Sequence, residues 1–114
     1  MNIQIFGSKK SFDTKKAERF FKERRIKYQL IDMNEKGMSK GEFVSVKSAL
    51  GINEIIDYKG KSYSKSNLPN IRSNEVKEDI VFKNQELIKL PIVRNGKKAT
   101  VGFMPEVWKE WIEE

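Results

Sequence analysis

Apolar residues recur along the chain in two rhythms, one of two residues and one of three to four, and the switches between them mark out the elements. Ile3 and Ile5 alternate with polar neighbours, which predicts a strand. A polar loop follows, and then Ala17, Phe20 and Phe21 return at helical spacing among Lys15, Lys16, Glu18, Lys22 and Glu23. That spacing predicts an amphipathic helix from about Asp13 to Arg24. Ile26 to Ile31 alternates again. The opening is thus a β-α-β unit, whose strands should be parallel with a right-handed crossover.

Ser39-Lys40-Gly41-Glu42 has the spacing of a capping box, and Phe43, Val46 and Leu50 then line one helical face before Gly51 stops it. Asn53 to Ile56 reads as a short helix, after which Tyr63, Leu68 and Ile71 are too sparse to define an element. Asn74 is expected to cap a helix through Phe82 or Lys83 that buries Val76 and Ile80. Strand rhythm resumes over Leu90 to Arg94, Asn95-Gly96 signals a tight hairpin, and Lys98 to Phe103 is the return strand. Pro105 suits the first turn of a last helix with Val107, Trp108, Trp111 and Ile112 as its buried stripe. The order β-α-β, helices, β-β-α describes an α/β protein with a thioredoxin-like fold. Its four-stranded mixed sheet carries a helical insertion at about residues 36–85, and the whole is expected to be one domain over 1–114. Pro91 stands first in the third strand, where a missing N–H is tolerated. In this fold that place is usually a cis proline facing the loop after the first strand.

Composition narrows the chemistry. With 38% hydrophobic and 34% charged residues the 114-residue chain reads as globular, and no apolar run approaches the roughly 20 residues that span a bilayer. Met1 to Ile5 has no basic leader followed by an apolar stretch, so a cytoplasmic location with no membrane association is expected. The net charge of +7 would suit a phosphate-bearing or acidic partner. However, the basic residues are distributed along the chain with no block interleaved with aromatics, so solvated lysine faces and no direct nucleic-acid contact are the expectation. The sequence contains neither Cys nor His. A disulfide, a thiolate, an imidazole base and a transition-metal site of the usual ligands are all excluded, and no cofactor is implied.

The loop between the first strand and helix is the place for chemistry. A helix start directs free N–H groups and the positive end of the helix dipole outward, and Lys9, Lys10, Lys15 and Lys16 add to that field. Ser11 and Thr14 stand where a reactive atom would be expected. Serine is also among the best N-caps, worth about 1 kcal/mol, and without a nearby base its hydroxyl is a poor nucleophile. Both meanings of Ser11, helix cap and vacated nucleophile position, stay open.

Two segments resemble the ArsC and Spx family of thioredoxin-fold proteins. One is the opening strand-loop-helix. The other is Leu90-Pro91-Ile92-Val93-Arg94-Asn95-Gly96-Lys97-Lys98-Ala99-Thr100-Val101-Gly102-Phe103, similar to the family's Arg-Pro-Ile segment and its Val-Gly-Phe/Tyr strand. The resemblance covers essentially the whole chain. It implies that the family's nucleophilic cysteine falls at Ser11, the second cysteine of Cys-x-x-Cys members at Thr14, and the basic residue four positions on at Lys15. Lys9, Lys10, Phe12, Asp13 and Pro91 are then the substrate loop. The family's three oxyanion-holding arginines correspond to Asp57, Leu90 and Met104, the first a carboxylate and the second an apolar group. The resemblance therefore implies the scaffold of a thiol-dependent oxidoreductase, redox-inactive as written, either a pseudoenzyme or a serine form of a cysteine or selenocysteine parent. Glutathione, glutaredoxin or thioredoxin would serve such a parent. The alternative is a Spx-like regulator on the RNA polymerase α subunit, which needs no catalytic residue. Such members usually carry an arginine at the place of Leu90 and a longer tail than Ile112-Glu113-Glu114.

Overall fold

Four short strands align in the order β2-β1-β3-β4 in the computed structural model, which describes all of residues 1–114. Strand β1 (Ile3–Gly7) lies between two neighbours. It runs parallel to β2 (Tyr28–Asp32), with Ile3 opposite Tyr28 and Gly7 opposite Asp32. It runs antiparallel to β3 (Ile92–Asn95), with Phe6 opposite Ile92, and β3 pairs antiparallel with β4 (Lys98–Val101). Because successive side chains of a strand point to opposite faces, β1 feeds two cores. Ile3 and Ile5 join Val93 in one, and Phe6 joins Ile31 and Ile92 in the other.

Helices α1 (Phe12–Glu23) and α6 (Pro105–Glu113) cover the first face with Ala17, Phe20, Phe21, Trp108 and Trp111. Trp108 is its centre, with ring centroids of Phe20, Phe21 and Phe103 at 5.2, 5.3 and 5.5 Å. A buried indole N–H needs an acceptor, and Trp108 Nε1 donates to Thr100 Oγ1 at 2.8 Å.

The second face carries α2 (Lys40–Leu50), α3 (Ile52–Ile55), α4 (Lys61–Lys65) and α5 (Asn74–Lys83), all between β2 and β3. The capping box is present, with Glu42 N–H donating to Ser39 Oγ at 3.2 Å and Ser39 N–H to Glu42 Oε1 at 2.9 Å. Met38 N–H donates to Gln85 Oε1 at 2.7 Å, and Gln85 Nε2 donates back to Met38 O at 3.0 Å, tying the start of the insertion to its end. Under α2 a polar chain crosses the sheet: Arg94 Nη1 donates to Gln4 Oε1 at 2.7 Å and Gln4 Nε2 to Glu42 Oε2 at 3.2 Å. Burial pushes the Glu42 carboxyl up, but its hydrogen bonds with Ser39 and Gln4 and the charge of Arg94 hold it below the usual range.

Several boundaries differ from the sequence pattern. Helix α1 begins at Phe12, one residue early. Strand β2 begins at Tyr28 rather than Ile26, because Arg25 turns at φ 57° and Ile26 N–H is spent on Phe21 O at 3.0 Å. Ser73, not Asn74, caps α5, and Val76 is 44% exposed while Val81 is fully buried. Only the C-terminal half of that helix reaches the core. The last strand stops at Val101, where Gly102 leaves the sheet at φ 81°. Helix α4, which has no buried residue, carries no apolar pattern to announce it.

Candidate active site

The loop Ser8–Ser11 leaves the carboxyl end of β1 and is closed by its own backbone. Ser11 N–H donates to Ser8 O at 3.2 Å, and Lys15 N–H donates to Ser11 O at 3.3 Å. Ser11 is extended at φ −86° and ψ 116°, and its Oγ accepts from Thr14 N–H at 3.1 Å. Ser11 is therefore the N-cap of α1, half-buried at the positive end of the helix.

Thr14 is a pillar of the loop rather than an open side chain. It is 1% exposed, and its Oγ1 accepts from Ser8 N–H at 3.4 Å. It also lies against Gly7 so closely that a Cβ there would sit 2.4 Å from Thr14 Cγ2. Glycine at position 7 is what allows the strand and the helix to approach each other.

Lys9, Lys10 and Lys15 are exposed, and Lys15 Nζ lies 5.9 Å from the centroid of the Phe12 ring, itself 78% exposed. Asp13 is half-buried and meets Lys16 at 3.9 Å. Pro91 is buried at the start of β3, its bond to Leu90 is cis as expected, and its carbonyl accepts from Gly102 N–H at 2.9 Å. With Phe6 opposite Ile92, the antiparallel register carries Pro91 level with Gly7 and the loop.

Two clefts flank the loop. One of about 320 Å³ has Lys9 and Lys15 facing a set of carboxylates, Glu18, Asp32 and Glu35. The other, of about 500 Å³, runs past Met33, Phe82, Gln85 and Leu90. Ser8 and Glu35 line both, so the clefts meet beside the loop. Tyr28 OH donates to Glu18 Oε1 at 2.9 Å; burial, then that bond and the Glu18 charge, push the phenol up to about 12.

None of the three positions matched to oxyanion-holding arginines carries a positive charge. Leu90 lines the larger cleft, whereas Asp57 and Met104 line neither. Asp57 is occupied with the insertion, its N–H donating to Leu87 O at 2.8 Å, and Met104 is the exposed N-cap of α6. No group of three carboxylates is placed to hold a metal ion. The acidic wall of the smaller cleft escaped the sequence pattern. Its signal was present in Asp32, which ends the strand parallel to β1, since ligand crevices of α/β sheets open at the carboxyl ends of strands.

A model of the ArsC family matches residues 6–111. Among solved structures, the arsenate reductase from Vibrio cholerae is similar with a TM-score of 0.82 and 24% identity, covering 96% of this chain and 97% of that one. A Bacteroides fragilis protein described as related to the ArsC family gives a TM-score of 0.82 at 22% identity over 96% and 97% of the two chains. A Staphylococcus aureus protein solved by NMR gives 0.79 at 27% identity over 95% and 96%. Comparison with curated proteins gives no match. No helix is long and apolar enough to cross a membrane.

Proposed function

Because this chain belongs to the ArsC family, we propose that it is the scaffold of a thiol-dependent oxidoreductase in which Ser11 holds the nucleophile position, redox-inactive with serine there and competent with cysteine or selenocysteine. One observation carries the proposal. The Ser11 Oγ accepts a hydrogen bond from Thr14 N–H at the head of α1, at the end of a loop whose first residue, Ser8, lines both clefts while Ser11 itself lines neither. A sulfur in that place would receive the same N–H and the same helix field, both of which favour thiolate. The thiolate attacks one sulfur of a substrate disulfide, a mixed disulfide forms, and the other sulfur leaves as thiolate. A second thiol then restores the enzyme. Disulfides suit the site better than oxyanions, because Asp57, Leu90 and Met104 supply no guanidinium to hold an oxyanion.

The test is catalysis of exchange between glutathione and a small disulfide by the Ser11→Cys protein. Turnover is expected above that of a Lys97→Cys control, whose thiol would sit on the exposed hairpin. Equal rates would refute the proposal. The absence of any cysteine favours a second reading, a Spx-like regulator on the RNA polymerase α subunit. A tight complex with that subunit that survives high salt would establish it instead.

A further inference from the structure

Although basic residues occur along the whole chain, one segment holds nearly all of the net charge, and it runs against the expectation of no direct nucleic-acid contact. From Lys9 to Lys27 there are nine basic and three acidic residues, a net +6 against +7 for the whole chain, so the rest is close to neutral. Four of the nine basic residues, Lys15, Lys16, Arg19 and Lys22, lie on α1, whose Ala17, Phe20 and Phe21 face the core, and the other five flank its two ends. A groove of about 420 Å³ opens there, beside the start of α6. Lys16, Arg19, Arg24 and Lys109 line it with Phe103, and Glu23 is its one carboxylate.

The groove is poorly neutralised from within. Arg19 and Arg24 make no ion pair, and Arg24 is fixed in place, its guanidinium 3.8 Å from the Phe20 centroid and its Nη1 donating to Phe20 O at 3.1 Å. Lys16 and Lys109 make only long, exposed pairs, with Asp13 at 3.9 Å and Glu106 at 3.7 Å, which a polyanion can displace. Helix α6 starts at Met104 without a side-chain cap, so its first N–H groups have no side-chain acceptor. One exposed ring lines the groove, and a second stands outside it at the head of α1. Phe103 is 38% exposed with Lys16 Nζ 5.7 Å from its centroid, and Phe12 is exposed beneath Lys15.

We propose that this face binds single-stranded nucleic acid, with phosphates along the basic groove and bases stacked on Phe103 and Phe12. An acidic protein surface would satisfy the cations and leave the rings unused, and a duplex keeps its bases stacked inside. A single strand offers both phosphates and free π faces. The inference needs no chemistry at Ser11, although Phe12 adjoins it.

Fluorescence anisotropy with a labelled oligothymidylate tests it, with circular dichroism confirming that each variant is folded. With four cations engaged, log affinity should fall against log salt with a slope of about −3. Lys16→Gln with Arg19→Gln should make that slope shallower by about 1.4. Phe12→Ala, wholly on the surface, and Phe103→Leu, which keeps an apolar side chain against Trp108, should each weaken binding by about 5-fold or more with the slope unchanged. A matched duplex, polyglutamate and phosphatidylserine vesicles should compete poorly. A flat salt dependence, ring variants that bind like the parent, or equal competition by polyglutamate or vesicles would overturn the proposal.

Discussion

The two layers on the sheet are built by different means. On one face, two helices of 12 and 9 residues bury an aromatic cluster centred on Trp108. On the other, four helices of 4 to 11 residues bury a larger, mostly aliphatic set and depend on side-chain ties such as Gln85 to Met38 and Glu42 to Ser39. The loop after β1 belongs to the first layer through Ser11 and Thr14, whereas Phe82, Gln85 and Leu90 on the far wall of the larger cleft come from the second. The position of Ser11 is thus set by α1, and one wall of the larger cleft is set by the insertion. Two parts of the fold can vary separately around one fixed loop.

The largest expected effect breaks the aromatic layer. Trp108→Ala should cost about 3–5 kcal/mol in denaturant unfolding, because a fully buried ring and its neighbours cannot close over the void. A loss under about 1 kcal/mol would show that this layer does not anchor the fold. Next in size is the contact between strand and helix. Gly7→Ala should cost about 1–3 kcal/mol through the collision with Thr14, and adding Thr14→Ala should return part of it. Strict additivity in that double-mutant cycle would mean that the two residues do not press on each other.

The smallest effect probes the other layer through pH. The Glu42 carboxyl is lowered from 4.5, so folding favours its ionised form. Its contribution is complete above about pH 4.5 and is lost as pH falls through the lowered value. Glu42→Gln should therefore flatten the acid limb of the stability curve measured by urea unfolding. An unchanged acid limb would remove Glu42 from the account.

The same division governs what the sequence makes legible. Ser11 as a cap, the Asn95-Gly96 turn and the stripe of Trp108 and Trp111 all depend on residues within a turn or two of one another. The capping box of α2 is equally local. The insertion is harder because its ties are long-range: Gln85 reaches Met38, 47 residues away, and no local pattern announces that bond. Val76 was expected inside because the helical period was read without knowing which half of α5 meets the core, and Val81 takes that place. At the site, the loop residues were visible, but the acidic wall of Glu18, Asp32 and Glu35 comes from three separate elements that only the folded sheet assembles.

The central claim is that the head of α1 is built for a thiolate. Iodoacetamide alkylation of the Ser11→Cys protein, followed across pH, tests it most directly. The titration should fall clearly below the free-thiol value of about 8.5, and alkylation of a Thr14→Cys protein should be slower, since that position is 1% exposed. A Ser11→Cys thiol that titrates at or above about 8.5 would contradict the account and leave Ser11 as a helix cap alone.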